Sequence, residues 1–172
     1  MKIAVIGYSG SGKSTLSARL AAYYGLPLLH LDTLHWLPGW QERPREEEIE
    51  ILGRFLDEHS DWVIDGNYGG VLFDRRMQEA DAIIFMRFGR FTCLCRAYKR
   101  YRTYRGTSRD SMTDGCPEKM DREFFLWLLY KGRTKKHRKR YRRILESYPS
   151  KVRVIKNQRQ LDRYEAEMLS AK

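Results

Sequence analysis

Five short apolar segments recur along this chain, at residues 3–6, 26–31, 62–64, 82–86 and 152–155. Each has the length of a strand, and the longer stretches between them carry helical patterns. Strands that alternate with helices are typical of a parallel sheet with helices on both faces. The pattern therefore predicts an α/β protein with a five-stranded parallel sheet in three layers. Ligands of such a sheet bind at the carboxyl ends of its strands.

Two helices are predicted in the first third of the chain. The first follows residues 3–6 and ends at Gly25, because glycine commonly terminates helices. The segment 33–43 is a predicted loop, rich in aromatic residues and turn formers. A second helix begins near Pro44. Its predicted core stripe consists of Ile49, Leu52, Phe55 and Leu56.

The long gap between the fourth and fifth strands is predicted to be helical and basic. Helical segments are expected at 91–104, 121–130 and 132–146. The segment 106–117 interrupts them as a loop, because it contains glycines, a proline and several hydroxyl residues. A last helix follows Asn157.

Length and composition are those of one folded domain, spanning residues 1–172. No stretch approaches the length of a membrane span, and the chain enters a strand directly, which leaves no room for a signal peptide. Cys93, Cys95 and Cys116 form no C-x-x-C pair, so we expect reduced thiols. These features together predict a cytoplasmic protein.

A glycine-rich run between the first strand and the first helix fits the pattern G-x-x-x-x-G-K-[ST]. The backbone N–H groups of such a loop and the helix N-terminus form an anion-binding concavity. Lys13 is expected to contact the terminal phosphates, and the hydroxyl of Ser14 is expected to bind Mg²⁺. The sequence thus predicts an ATP site with Mg²⁺. Its residues are Gly7, Ser9, Gly10, Ser11, Gly12, Lys13, Ser14 and Thr15.

Two carboxylates follow predicted strands at the edge where the glycine-rich loop lies. Asp65 ends the third strand, where a P-loop protein places a carboxylate that organises Mg²⁺; the alternative is a turn residue before Gly66. Asp32 ends the second strand and could accept a proton or hydrogen bond from a substrate hydroxyl, or help to hold Mg²⁺ through water. The alternative for Asp32 is a helix cap or an ordinary loop carboxylate.

Other residues near this edge are weaker candidates for a functional role. His30 is expected to be a hydrogen-bonded core residue, and His35 could contact a substrate. Trp36 and Trp40 are candidates for the wall of an acceptor pocket, although aromatic residues at a sheet end are usually plain packing.

The positive charge of the chain is confined to one block. The net charge is +11, and residues 87–143 contain 19 Lys and Arg against 5 Asp and Glu. The rest of the chain has a small negative balance. A block of this kind predicts polyanionic partners, either nucleotide phosphates or a nucleic acid.

Two arginines in this block have a spacing suited to phosphate. Arg96 and Arg100 are four residues apart on a predicted helix and can converge on one phosphate group. A solvated helix face is the alternative for any single arginine of the block. Further arginines crowd the third basic segment, and no helix can direct all of them at one ligand: Arg138, Arg140, Arg142 and Arg143.

The ordered motifs resemble the adenylate-kinase-like P-loop kinases described as DNA topology modulation proteins. The resemblance begins with residues 7–14 and continues with 30–32, 36–40 and 62–68. It extends through 80–100 to 154–157 and so covers nearly the whole chain. It implies a P-loop NTPase fold with a helical, basic lid.

The chain is more distantly similar to adenylate kinase. That similarity implies that Asp65 serves the Mg²⁺ site and that Arg96 and Arg100 contact the donor nucleotide. It implies a lid at about 101–136, with returning arginines near Arg133, Arg138 and Arg140. The loop after Asn157 would approach the donor base.

The sequence departs from adenylate kinase on the acceptor side. Asn67-Tyr68 stands where adenylate kinase has an AMP-binding arginine. Asp32 is instead similar to the carboxylate with which small-metabolite kinases, such as shikimate kinase, grip an acceptor hydroxyl.

The function expected from the sequence is transfer of the γ-phosphoryl group of ATP to a small nucleotide or hydroxylated metabolite. Lys13, Asp32, Asp65, Arg96 and Arg100 are the expected catalytic residues. The alternative is a nucleic-acid-binding P-loop NTPase or regulator that affects DNA topology, with block 87–143 as its binding surface. That alternative depends on the charge balance and on tyrosines interleaved with the basic residues.

Overall fold

The five predicted strands form one parallel sheet in the computed structural model, which describes residues 1–170. The strands of the fold are β1 (Lys2–Gly7), β2 (Leu28–His30), β3 (Trp36–Leu37), β4 (Gln41–Glu42), β5 (Trp62–Asp65), β6 (Ala82–Met86) and β7 (Val152–Ile155). The large sheet has the order β2-β5-β1-β6-β7, with every pair parallel. The α/β class and the five-stranded parallel sheet are confirmed.

Eight helices and one 3-10 turn lie between and after the strands of the described chain. They are α1 (Lys13–Tyr24), α2 (Leu31–His35), α3 (Arg45–Glu58), α4 (Phe73–Glu79), α5 (Arg90–Tyr104), α6 (Arg122–Leu129), the 3-10 turn Lys131–Arg133, α7 (Lys135–Ser147) and α8 (Gln158–Ser170). Within residues 1–170, none of these helices combines the length and apolarity needed to cross a membrane.

The centre of the sheet forms the core. Strand β1 lies between β5 and β6, and its residues Ile3, Ala4, Val5 and Ile6 are each at most 3% exposed. A strand covered on both faces must be apolar at every position, which explains the continuous run in the sequence. Because β1 is central, the loop that leaves it emerges in the middle of the carboxyl edge.

The segment after β2 contains more secondary structure than the sequence predicts. The second strand ends at His30, and α2 begins with Leu31, so Asp32 lies in the first turn of a helix. The predicted loop 33–43 contains the end of α2 and a small antiparallel hairpin of β3 and β4. These elements are too short to show a periodicity of their own.

Helix α4 was not predicted at all. It has seven residues, and its buried positions are Phe73, Arg76 and Met77. An arginine on the core face removes the apolar signal on which a sequence-based prediction relies.

The buried face of helix α3 differs from the core stripe that the sequence predicts. Leu52 and Leu56 are buried as expected, but Ile49 is 36% exposed, whereas Glu48 is 3% exposed. Glu48 is held inside by His35, whose Nδ1 lies 2.5 Å from Oε1 of Glu48. A buried carboxylate with a hydrogen-bond partner therefore replaces the expected isoleucine.

The basic region folds as helices around one loop. Helix α5 is followed by residues 105–121, here called the lid loop, in which a bridge joins Arg105 to Glu118. The predicted helix 132–146 is divided in two, because Thr134 has extended backbone between the 3-10 turn and α7. The lid at 101–136 remains a prediction.

Candidate active site

The glycine-rich loop lies at the carboxyl edge, between β1 and α1, as its sequence predicts. Two glycines are required by close backbone contacts. A Cβ on Gly7 would lie 2.3 Å from the carbonyl oxygen of Met86, and one on Gly10 would lie 2.4 Å from that of Cys93. Both have positive φ, which favours glycine. The loop therefore packs closely against β6 and α5.

Lys13 begins α1 and lies over the loop. Its Nζ donates to the carbonyl oxygen of Tyr8 at 3.3 Å. Burial lowers the pKa of Lys13, while the nearby carboxylates of Asp65 and Asp32 act in the opposite direction. Lys13 therefore interacts electrostatically with both carboxylates that the sequence singled out.

Asp65 ends β5 and is only 4% exposed. Its Oδ1 lies 2.6 Å from Nδ1 of His30, so His30 is hydrogen-bonded as expected. A histidine paired in this way fixes the orientation of a carboxylate. This pairing leaves the second oxygen of Asp65 as the one suited to a metal or to its water.

The residues at this edge fit a magnesium ion that arrives with a nucleotide. Within residues 1–170, no group of three or more His, Cys, Asp or Glu side chains could hold a metal by itself. Mg²⁺ is usually bound by one or two carboxylates, phosphates and water. Ser14 and Asp65 supply oxygen donors of that kind beside the phosphate-binding loop.

Asp32 lies in the first turn of α2 and is paired with a tyrosine. The hydroxyl of Tyr68 donates to Oδ1 of Asp32 at 2.7 Å. Burial, followed by the neighbouring carboxylate of Asp32, raises the pKa of Tyr68. The tyrosine therefore remains a hydrogen-bond donor, and it fixes the position of the carboxylate.

The segment after Asp65 is attached to the glycine-rich loop. The side chain of Asn67 accepts from the N–H of Gly7 at 3.0 Å and donates to its carbonyl oxygen at 2.5 Å. Asn67 and Tyr68 are consecutive, so one short segment contacts both the phosphate-binding loop and Asp32.

Three arginines donate hydrogen bonds to the backbone of the same segment, residues 66–70. Arg76 of α4 is fully buried and donates to the carbonyl oxygens of Gly66 and Tyr68, at 3.3 and 3.0 Å. Arg140 of α7 donates to Asn67 O at 2.8 Å, and Arg45 of α3 donates to Gly70 O at 3.1 Å. Burial and the charge of Arg140 lower the pKa of Arg76. These contacts fix the backbone that carries Asn67 and Tyr68.

Arg96 contacts the glycine-rich loop. It donates to the carbonyl oxygen of Ser11 and to the side chain of Gln158, and it lies 4.2 Å from the ring centre of Phe88. Arg96 therefore joins the glycine-rich loop to the start of α8. Asn157, just before α8, caps that helix by accepting from the N–H of Gln160 at 3.0 Å.

Arg100 has a different protein partner from Arg96. Its Nε and terminal nitrogen lie 2.8 and 2.7 Å from Oε1 of Glu118 in the lid loop. Arg100 nevertheless lies within the electrostatic reach of Lys13 and Asp32. Convergence of Arg96 and Arg100 on one phosphate therefore stays a prediction.

Arg133, Arg138 and Arg140, the arginines near the end of the predicted lid, differ in their contacts. Arg133 donates to Phe88 O at 3.0 Å and lies 3.7 Å from the ring centre of Tyr8. Arg140 supports Asn67, as described above, and Arg138 is exposed on α7.

Aromatic rings form a continuous group next to Asp32. The ring centres of His35 and Tyr68 are 4.6 Å apart, as are those of His35 and Trp36. Trp36 and Trp40 are 5.3 Å apart. The candidate wall residues of the sequence analysis thus form one continuous group beside Asp32.

The lid loop is docked on the hairpin that carries these tryptophans. The hydroxyl of Thr113 lies 2.5 Å from Trp36 O and 3.1 Å from Thr33 O. Cys116, one of three free thiols, donates to Leu37 O at 3.2 Å. The lid loop therefore bridges α5 and the β3–β4 hairpin.

Several residues of this site were missed by the sequence analysis. Tyr68, Asn67 and Arg76 were not assigned roles, although a polar pair directly after a strand-end Asp-Gly is a usable signal. Glu118, the partner of Arg100, had no signal in the sequence, because this pairing depends on how the lid loop folds.

The sheet order and the glycine-rich loop between β1 and α1 together define a P-loop NTPase fold. No protein-family model matches this chain. Cytidylate kinase of Xanthobacter autotrophicus is 67% identical to it over 33 residues, which are 19% of this chain and 15% of that protein.

Solved structures support the fold over nearly the whole chain. TT1252 from Thermus thermophilus has a TM-score of 0.57 and 17% identity, covering 99% of this chain and 97% of that chain. Deoxyadenosine kinase from M. mycoides with bound dATP has a TM-score of 0.54 and 16% identity, with coverage of 98% and 99%. Gluconokinase from Sinorhizobium meliloti has a TM-score of 0.50 and 18% identity, with coverage of 94% and 85%.

Proposed function

We propose that this protein is an ATP-dependent kinase that transfers the γ-phosphoryl group to a hydroxyl of a small acceptor. The fold neighbours described as deoxyadenosine kinase and gluconokinase support phosphoryl transfer, since both act on small molecules with hydroxyl groups. The short match to cytidylate kinase agrees with this class. Membership of the DNA topology modulation proteins stays a prediction.

One observation carries the proposal. Hydrogen bonds join the glycine-rich loop to both strand-end segments: Asn67 binds Gly7 of the loop, and its neighbour Tyr68 donates to Asp32. Asp65, two residues before Asn67, is held by His30. Phosphoryl transfer needs little covalent chemistry from a protein, because positioning and charge stabilisation provide the catalysis. A phosphate-binding loop that is linked by hydrogen bonds to two oriented carboxylates provides positioning of this kind.

Each residue has a distinct task in this proposal. Lys13 and the glycine-rich loop bind the triphosphate, and Ser14 and Asp65 would hold Mg²⁺, which neutralises phosphate charge when bound. Asp32 accepts a hydrogen bond from the acceptor hydroxyl and takes its proton as the acceptor oxygen bonds to the γ-phosphorus. The bond between that phosphorus and the β,γ-bridging oxygen breaks at the same time, and ADP leaves. Tyr68 keeps Asp32 oriented, and Arg100 stabilises charge on the transferred group.

The surroundings of Asp32 favour a hydroxylated acceptor with a flat or apolar part. The rings of Tyr68, His35, Trp36 and Trp40 offer stacking surface next to the carboxylate. Stacking and one hydrogen-bonding carboxylate suit a nucleoside-like compound as well as other hydroxylated metabolites.

An acceptor screen tests the proposal. Purified protein with γ-labelled ATP and Mg²⁺ would be offered nucleosides, nucleoside monophosphates, hydroxy acids and sugars. We expect one class to become labelled, and Asp32→Asn to lower kcat by about 10²- to 10⁴-fold while ATP binding remains. Slow hydrolysis of ATP across the whole panel, with no labelled acceptor, would count decisively against the proposal.

A second candidate function is nucleic-acid binding, which one surface favours. Five cations of α7 are exposed and make no ion pair with any carboxylate in residues 1–170. Unpaired cations on one helix attract a phosphate backbone. We call these residues the α7 basic face: Lys135, Lys136, Arg138, Lys139 and Arg142.

A further inference from the structure

Four aromatic side chains form a fixed group beside the proposed catalytic carboxylate. His35 is at the centre of this group, because the ring centres of Tyr68 and Trp36 each lie 4.6 Å from that of His35. Nδ1 of His35 lies 2.5 Å from Oε1 of Glu48, a carboxylate that is 3% exposed. A buried hydrogen-bonded partner fixes the orientation of an imidazole and of the rings that pack on it. We call His35, Trp36, Trp40 and Tyr68 the ring group.

Two further carboxylates lie along the ring group. Asp32 accepts a hydrogen bond from the hydroxyl of Tyr68. Glu42 of β4 is opposite Trp36 in the hairpin, and its Oε1 lies 4.0 Å from Nε2 of His35. The side chain of Glu42 is 72% exposed, so this carboxylate is accessible to a ligand that contacts the rings.

The electrostatic environment of the Tyr68 hydroxyl is negative. Burial raises the pKa of Tyr68, and the carboxylates of Asp32 and Glu48 raise it further. Lys13 and Arg100 interact with Asp32, and the proposed function assigns both cations to the phosphate groups of ATP. Bound ATP therefore offsets the charge of these cations, and the carboxylates face the acceptor.

The arginines that follow the ring-group tryptophans in the sequence bind other acceptors. Arg43 donates to the carbonyl oxygen of Leu34 at 2.7 Å and to Glu47 at 3.4 Å. Arg45 donates to the carbonyl oxygen of Gly70 at 3.1 Å. An anionic group on the acceptor would have to compete for these guanidinium groups, and the carboxylates beside the rings would repel it. The electrostatics next to the ring group thus favour a cation.

One ammonium group already lies on the ring group. Nζ of Lys119, in the lid loop, is 4.4 Å from the ring centre of Trp40. This separation is within the range of about 6 Å in which an aromatic ring attracts a cation. Lys119 is 47% exposed and also pairs with Asp121 at 3.4 Å, so it can leave the ring at little cost. The face of Trp40 therefore accepts an ammonium group, and the lysine that occupies it can be displaced.

The backbone of Trp40 supports a role for this ring. Its φ is 63°, in the left-handed region that bulky residues rarely adopt. Such a conformation costs free energy and persists where the surrounding structure imposes it, which is common at ligand-binding sites. Gly39, which precedes Trp40, donates its N–H to the carbonyl oxygen of Gly115 at 3.0 Å. The contact between the hairpin and the lid loop thus holds Trp40 where its ring meets Lys119.

We propose that the acceptor is a hydroxylated amine, whose ammonium group binds against the ring of Trp40 and next to Glu42, in place of Lys119, while its hydroxyl group reaches Asp32. The inference rests on the proposed function, which places the acceptor hydroxyl at Asp32. The transfer step is unchanged: the hydroxyl oxygen bonds to the γ-phosphorus, Asp32 takes the proton, and ADP leaves. The amine takes no part in the transfer and serves to select the acceptor.

Choline provides a binding test that does not depend on turnover, because it carries a hydroxyl group and a permanent positive charge. Its control is the neutral alcohol in which a carbon atom replaces the choline nitrogen. Each is titrated into the isotopically labelled full chain with AMP-PNP and Mg²⁺. NMR follows the indole N–H signals of the four tryptophans, which are assigned with single phenylalanine variants. We expect choline to shift the signals of Trp36 and Trp40 but not those of Trp62 and Trp127, and the neutral alcohol to bind about tenfold more weakly.

Lys119 gives a test whose sign depends on the charge of the acceptor. Lys119→Gln removes an ammonium group that competes for the ring of Trp40, so choline affinity should rise about threefold. An anionic acceptor would instead lose affinity in the same variant. The matched control is Lys131→Gln, which removes another exposed lysine and its ion pair with Glu123, and which should leave choline affinity unchanged.

A second variant tests the exposed carboxylate. Glu42→Gln should weaken choline binding about threefold, because it removes one partly screened charge interaction. Its control is Glu50→Gln, since the side chain of Glu50 is 70% exposed and that of Glu42 is 72% exposed. Unchanged AMP-PNP affinity shows in each variant that the site is folded.

The acceptor assay with labelled ATP provides the second measurement. Serinol and glycerol, like glucosamine and glucose, differ by an amine in place of one hydroxyl group. We expect a higher kcat/KM for the amine of any pair that becomes labelled.

The outcomes are distinct. Equal binding of choline and its neutral control, or lower choline affinity in Lys119→Gln, would overturn this inference. Labelling of a neutral or phosphorylated acceptor in preference to amines would also overturn it, and the proposed kinase would stand. Labelling of no acceptor in the whole screen would overturn the proposed function itself.

Discussion

The protonation of Lys13 links nucleotide binding to the stability of the fold. Burial lowers the pKa of Lys13 from its ordinary value of 10.5. The unfolded chain therefore binds more protons than the folded one between the lowered pKa and 10.5. In that window the free energy of unfolding must rise with pH. Phosphate binding favours the charged ammonium, so nucleotide affinity must fall over the same window.

This opposition gives a prediction for the pH dependence. As pH rises towards 10, the contribution of Lys13 should stabilise the nucleotide-free protein while it weakens AMP-PNP binding. Urea unfolding and calorimetry at each pH measure the two trends. The variant Lys13→Met has no titratable group at this position. The difference between its pH curves and those of the unmodified protein therefore gives the contribution of Lys13. Parallel pH curves for the two proteins would contradict the linkage.

At the residue scale, the sequence predicted the residues whose roles are local. Lys13 and Ser14 follow from the spacing of one motif, and Asp65 follows from its place at a strand end. The partners of these residues did not follow, because they are distant in the sequence. Tyr68 reaches Asp32, and Glu118 reaches Arg100, only through the fold. The roles of the site residues stay predictions until they are tested.

At the scale of elements, the lid loop packs against the β3–β4 hairpin, and removal of one hydroxyl, that of Thr113, tests this contact. Thr113→Val keeps the shape of the side chain and removes the donor shared by Thr33 O and Trp36 O. A lost hydrogen bond of this kind costs about 1 kcal/mol. We expect faster trypsin cleavage in the lid loop, after Arg105, Arg109 or Lys119, with little change in the global unfolding temperature.

A comparable threonine provides the control for this variant. Thr103 is exposed on α5 and donates to the carbonyl oxygen of Lys99 at 3.1 Å within its own helix. Thr103→Val should leave cleavage of the lid loop unchanged. Equal cleavage rates for Thr113→Val and the unmodified protein would mean that the hydroxyl does not hold the loop on the hairpin.

The elements that the sequence predicted well are those with a simple apolar pattern. All five strands of the large sheet were predicted, because buried parallel strands are continuous apolar runs. Helix α4 was missed because Arg76 lies on its core face. The buried face of α3 was predicted wrongly because it includes Glu48, whose burial depends on a hydrogen bond with His35. In both cases a hydrogen bond made in the folded protein outweighed hydrophobicity, and a single sequence does not show that partner.

At the scale of the whole molecule, the positive charge is only partly accounted for by the proposed kinase. Arg96, Arg100, Arg133 and Arg140 are held within or around the site by specific contacts. The α7 basic face is not, and its side chains point to solvent. Either this face serves solubility or it binds a polyanion, and the two possibilities differ in their dependence on salt.

The last prediction separates these possibilities. If the α7 basic face binds nucleic acid, changing its five cations to Gln should weaken binding of a labelled single-stranded oligonucleotide. The slope of log affinity against log salt should become shallower by up to about 0.7 per cation removed. AMP-PNP affinity should stay unchanged, because none of the five belongs to the proposed site. A matched variant changes five exposed cations outside block 87–143 to Gln: Arg19, Arg54, Lys156, Arg159 and Arg163. Equal losses in the two variants would mean that only net charge attracts the oligonucleotide, and nucleic-acid binding through α7 would then be wrong.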